Sequence, residues 1–99
     1  MKRLTKAQLK VLDAIRRYYP ELLQRGLEYH KEKLAAASED WEVKYHKDSL
    51  ENYEQGFISW ASKNSRESSI LESLQEHGYI DYEHGGSAGQ LIIHWVRLK

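Results

Sequence analysis

Apolar positions in the first part of the chain return at helical spacing. Leu4, Val11, Leu12, Ile15 and Tyr18 or Tyr19 do so in "LTKAQLKVLDAIRRYYP", which predicts a first helix over 1–18 with Thr5 as its N-cap. Pro20 either stops that helix or opens the next at its first position. Leu23, Leu27, His30 and Leu34 then step along one face and predict a second helix over 21–37. Gly26 inside it costs about 1 kcal/mol relative to Ala, so it marks a kink, a close contact or a break. The stripe is too short for a coiled coil and reads as a packing face.

From Ser38 to Gly56 the pattern weakens. Trp41, Val43, Tyr45, Leu50 and Tyr53 are scattered among polar residues, and Asp48 with Glu51 resembles a capping box. A short helix from about 49 to 55, closed by Gly56, is expected there. "FISWAS" is either a short extended piece or a tight helical entry. Ser65 then caps a last helix, "RESSILESLQEH", with Ile70, Leu71 and Leu74 on one face and Gly78 as its C′ residue. Finally "YIDYEH" and "QLIIHWVRLK" read as two strands around a "GGSAG" turn, and a loop of that length at a hairpin tip suits contact with a partner. Helices first and a two-stranded hairpin last make an α+β domain spanning 1–99.

Composition narrows the class. The chain has 99 residues, and with 40% apolar and 11% aromatic residues it can build a core. The absence of cysteine excludes disulfide frameworks, thiolate metal sites and cysteine nucleophiles. Without a membrane-spanning apolar run or the apolar core of a signal peptide, the expected location is cytoplasmic, with no membrane partner. Net charge is zero but uneven: residues 1–50 hold 11 Lys+Arg against 8 Asp+Glu, and residues 51–99 hold 4 against 7.

The segment carrying Ser65, Arg66, Ser68, Ile70, Leu71, Leu74, Gly78, Tyr79 and Ile80, followed by two strands, resembles the winged-helix DNA-binding superfamily. "TKAQLKVLDAI" is similar to the opening helix of that superfamily. The resemblance implies a mostly helical winged helix-turn-helix with a two-stranded wing. It divides the chain into a first helix (1–18), an extra helical or dimerisation region (20–48), a helix-turn-helix-like region (49–78) and a wing (79–99). The interval between Gly56 and Ser65 is longer than the usual turn between the paired helices.

The implied function is sequence-specific binding of double-stranded DNA by a homodimer, as a small transcriptional regulator or a mobile-element accessory factor. The candidate DNA-binding residues are Lys63, Asn64, Ser65, Arg66, Ser68 and Ser69 before and within the last helix, with Ser87 and Gln90 at the wing. Asn64 and Arg66 have the donor geometry for adenine and guanine edges, and a serine hydroxyl with first-turn N–H groups suits a phosphate. Lys2, Arg3, Lys6 and Lys10 offer further phosphate contacts. The same polar residues also suit a solvated helix start. Glu67, Glu72 and Glu76, and a wing tip without Lys or Arg, favour the alternative of a protein-interaction adaptor that does not bind DNA.

Other chemistries are weaker. His77, His84 and His94 lie near the hairpin, with Asp81 or Glu83 able to complete a zinc set, but their spacing matches no ligand signature. Tyr18, Tyr19, Trp41, Tyr45, Tyr53, Trp60 and Trp95 suit a core or an interface better than stacking on single-stranded bases. No cofactor, metal or enzymatic activity is expected, since "GGSAG" lies in a hairpin and not between a strand and a helix.

Overall fold

The computed structural model describes residues 3–63 and 65–99. The architecture is α+β: α1 (Lys6–Ala36), α2 (Asp40–Glu54), β1 (Ile58–Ser62), α3 (Arg66–Glu76), β2 (Ile80–Ala88) and β3 (Leu91–Leu98). The strands form one antiparallel sheet in the order β1-β3-β2. α1 alone is about 46 Å long at 1.5 Å per residue, which accounts for most of the 50 Å long axis.

α1 begins at the expected N-cap. Thr5 accepts from the Gln8 backbone N–H, and the Gln8 side chain accepts from the Thr5 N–H, closing a capping box. The helix does not stop at Pro20 or restart there; it runs through, so the two helices expected over 1–18 and 21–37 are one. Pro20 removes the N–H that would bond the Arg16 carbonyl. Both residues are exposed, so water can satisfy that carbonyl. Tyr19, next to Pro20, donates its hydroxyl to the Gly56 carbonyl and ties the helix to the start of the sheet.

α2 is longer than the 49–55 helix expected. It starts at Asp40, which places Asp48 and Glu51 inside the helix and removes the capping box read there. Its first turn carries Asp40 and Glu42, favourable against the helix dipole. Leu23, Leu27, His30 and Leu34 all turn inward, and the antiparallel α1–α2 pair forms an arm. Gly26 is a close contact, not a kink or a break: a Cβ there would fall inside the van der Waals envelope of the Tyr53 ring.

Gly56 and Gly78 end α2 and α3 in the same way. Both have positive φ (91° and 83°), and in each case the next residue's N–H reaches back five residues, Phe57 to Asn52 and Tyr79 to Leu74. "FISWAS" is extended, and as β1 it pairs with β3, so the expected two-stranded wing is part of a three-stranded sheet. β1 also stands between α2 and α3, which are therefore not joined by a tight turn.

The hairpin tip is tighter than expected. β2 continues to Ala88, and the turn is only Gly89–Gln90, with Gly89 at φ 63° as the primed hairpin turns require. Gly85 takes up the extra residue as a bulge between the His84–His94 and Gly86–Ile93 pairs. The core joins all layers: Leu12 and Ile15 of α1, Tyr53 of α2, Ile58, Leu71, Leu74, Ile80 and Val96.

Candidate nucleic-acid interface

α3 is held from two sides. Gln8 of α1 donates its side-chain amide to Ser73 Oγ, and the Trp60 indole of β1 donates to Glu67 Oε1 at 3.3 Å. Leu71 and Leu74 face the core, which turns Arg66, Ser69, Glu72, Gln75 and Glu76 outward. Between α1, β1 and the start of α3 lies an open groove of about 370 Å³. Lys10 and Arg66 stand on its two helical walls, with Trp60, Val11 and Ile70 between them and Glu67 at the side.

Of the sequence-derived candidates, Lys63, Ser65, Arg66 and Ser69 are exposed around the α3 start, and Ser68 is half-buried. Asn64 lies outside the described residues. Ser65 occupies the N-cap position, but its backbone is αR and its side chain makes no capping bond, so the expected Ser65 cap is not formed. Ser87 and Gln90 are exposed at the hairpin tip.

The sheet register relates the two groups. Ser62 and Ser87 both pair with Ile92, one from each side. The exit of β1 into Lys63 and the hairpin tip therefore lie at the same sheet end, about 10 Å apart across two strand spacings.

Beneath this end sits a polar centre that local sequence patterns do not reveal. His94 of β3 is fully buried; Ser62 Oγ lies 2.8 Å from its Nε2, and the Tyr82 hydroxyl 3.1 Å from its Nδ1. A neutral imidazole donates from one nitrogen and accepts at the other, so one hydroxyl accepts and the other donates. Burial pushes the His94 pKa down, Glu67 opposes this, and His84 adds to it. His94 thus locks the three strands at the point where β1 leaves for α3. The spacing of Ser62, Tyr82 and His94 follows no local period; only strand pairing brings them together.

The charges around this end are mixed. Lys10, Lys63 and Arg66 are exposed there, and Lys6 precedes Lys10 by one turn of α1. The outer face of α3 becomes acidic after its first turn, at Glu72 and Glu76. At the other end of the hairpin, Arg97 binds Asp81 through Nε (2.9 Å) and Nη2 (2.7 Å), donates to the Gln55 carbonyl and covers the Phe57 ring at 4.5 Å. The hydrogen bonds from Arg97, with the nearby Lys99, hold the Asp81 carboxyl below its usual range. Those two cations serve the sheet and not its tip.

The three histidines near the hairpin separate. His77 ends α3 and is exposed, while His84 and His94 face each other across β2 and β3 with rings 6.5 Å apart. Among the described residues, no group of three or more His, Asp or Glu could hold a metal ion. In the same residues no helix is long and apolar enough to cross a membrane.

The arm presents a different surface. Tyr29, Trp41 and Tyr45 are 52%, 69% and 56% exposed, which no core role explains. Beneath them His30 and His46 are buried with their Nδ1 atoms 2.9 Å apart, so one ring donates and the other accepts. The two residues are 16 positions apart on different helices, and only His30 lies on a stripe visible in the sequence. Comparison with protein-family models, curated proteins and solved structures finds no match to this chain.

Proposed function

We propose that the chain is a small double-stranded DNA-binding protein of the winged-helix kind, acting as a homodimer in transcriptional regulation or as a mobile-element accessory factor. The first turn of α3 enters the major groove with Arg66 and Ser69 toward base edges and Ser65 or Ser68 toward phosphate. Lys10, Lys63 and the basic start of α1 contact the backbone, and the tip at Ser87–Gln90 follows it. The observation that carries this reading is the convergence of the β1 exit and the hairpin tip at one end of the sheet, with Arg66 and Lys10 sharing the adjoining groove. The β1-β3-β2 order, with α3 leading into the β2–β3 hairpin, also supports it. The exposed rings of Tyr29, Trp41 and Tyr45 suit the dimer contact.

A second reading, a protein-interaction adaptor without DNA binding, draws on the same exposed rings and on the acidic outer face of α3. Fluorescence anisotropy with random duplex DNA at about 50 and 200 mM salt separates the two. Binding that weakens steeply with salt supports the first, and Lys10→Ala should reduce the salt slope by about 1. No binding at low salt leaves the adaptor reading.

A further inference from the structure

A second cavity, of about 280 Å³, lies between the helical arm and the hairpin, and is more enclosed than the groove beside α3. All three layers line it: His30 from α1, Tyr45, Ser49 and Tyr53 from α2, and Ser59, Ser87, Ala88 and Trp95 from the sheet. Its walls are aromatic. Tyr53 stands edge-on to Trp95 at 5.4 Å and lies 5.5 Å from the His30 ring, which is 6.0 Å from Tyr45. The bulge at Gly85 shapes one side, since a Cβ there would lie 2.9 Å from the Trp95 indole.

The cavity also has a polar side. His30 is 6% exposed and engaged through Nδ1 with His46, and its Nε2 has no hydrogen-bond partner among the described residues. Ser49 is 7% exposed and likewise has no such partner. The residues are buried, but no fully buried side-chain nitrogen or oxygen among the described residues lacks a partner, so these two atoms reach the open space of the cavity, where a ligand can bond them. No Lys, Arg, Asp or Glu is among the described lining residues, and burial, with His46 beside it, disfavours a charged His30 ring, so a charged ligand would stay unpaired at a cost.

We propose that this cavity binds a small, uncharged, planar molecule of one or two aromatic rings carrying a hydroxyl or amino group. The rings of Tyr45, Tyr53 and Trp95 would stack on or edge its faces, and His30 and Ser49 would hydrogen-bond its polar substituent. A cavity of about 150 Å³ already accepts benzene, so this one has room for a second ring or a substituent. The site goes beyond the DNA reading and does not depend on it: Ser87 and Ala88 of the hairpin tip belong to both, but the other lining residues lie away from the α3 start and binding is read without DNA.

The test is heteronuclear NMR of the full chain, free of DNA, titrated with indole and 4-hydroxybenzamide as neutral probes and benzoate as a charged one. The expected result is saturable shifts at the Trp95 indole N–H and at the amides of Ser49, Tyr53 and Gly85. Benzoate should bind at least about tenfold more weakly. Ala88→Phe, at an exposed hairpin position on the cavity side of the sheet, should weaken indole by at least about tenfold with an unchanged melting curve. Ser49→Leu should weaken indole likewise from the helix side. Absence of saturable shifts with either neutral probe overturns the site, as does undiminished binding in a folded Ala88→Phe protein. Benzoate binding as tightly as indole overturns the uncharged class of ligand.

Discussion

At the sheet end, polar side chains tie the elements together and aromatic rings are partly covered. Trp60 holds Glu67, Gln8 holds Ser73, and His94 sits between Ser62 and Tyr82. On the arm the order is inverted: Tyr29, Trp41 and Tyr45 face outward, and the polar His30–His46 pair lies beneath them. The first arrangement braces α3 against α1 and β1, which under the proposed DNA reading would hold Lys63, Arg66 and the hairpin tip in fixed relation. The second leaves large apolar area uncovered, which suits a surface completed by another chain. Between the two, Tyr53 and Trp95 link the arm to the sheet, and the enclosed cavity adjoins that link.

This contrast can be broken by mutation. The largest effect belongs to the joint: Gly26→Ala should cost about 3 kcal/mol in urea unfolding, because the Cβ collides with a Tyr53 ring that the core cannot release. A loss below about 0.5 kcal/mol would mean that the arm yields easily at this contact. His94→Phe should cost about 2 kcal/mol, since it removes both ring nitrogens from a fully buried site where they bond the Ser62 and Tyr82 hydroxyls. A neutral result would show that the strands do not need this polar lock. Arg66→Ala should lower specific DNA affinity by ~1–3 kcal/mol and relax one base position, read by anisotropy with a selected site. In the proposed homodimer, Trp41→Ala should shift sedimentation toward monomer, while changing monomer stability by less than about 0.5 kcal/mol. Unaltered association would move the dimer contact off the arm.

The smallest expected effect is that of pH. Burial depresses the pKa of both His30 and His94 below the ordinary value of 6.5, and His46 adds to the effect at His30. The folded state then resists a proton that the unfolded chain accepts. Their contribution is fully present above pH 6.5 and is lost as pH falls from there through the lower folded values. Unfolding midpoints from pH 8 down to about 5 isolate the histidines, because carboxylates stay largely ionised over that range. A flat profile would place both rings in more solvated surroundings.

Some features were legible because their physics is local. The Thr5 cap needs only Gln8, three residues on. The stops at Gly56 and Gly78 need only a residue free to adopt positive φ next to a finished helix. β3 is legible from its β-branched and aromatic run, and the inward stripe of Leu23, Leu27, His30 and Leu34 from its period. Of the candidate site, Lys63, Ser65, Arg66 and Ser69 were found at an exposed α3 start because a polar helix entry reads directly from residue order.

Other features depended on contacts between distant residues. Pro20 reads as a boundary because the local cost of a proline is high, yet both halves of α1 are held by packing and by Tyr19 on Gly56. The start of α2 at Asp40 has no side-chain cap, and burial of His46, Ser49 and Tyr53 supports the helix instead. "FISWAS" becomes a strand because β3 offers a free edge, and "GGSAG" becomes bulge and strand because the β2–β3 register runs on to Ala88. By itself the sequence determined the Thr5 cap of α1, the glycine stops of α2 and α3 and which residues favour extended chain, since these depend on neighbours a few positions away. Tertiary structure alone decided the continuity of α1, the third strand, the His30–His46 and Ser62–His94–Tyr82 pairings and the cavity between arm and hairpin. Each of these joins residues whose separation along the chain carries no information about their separation in space.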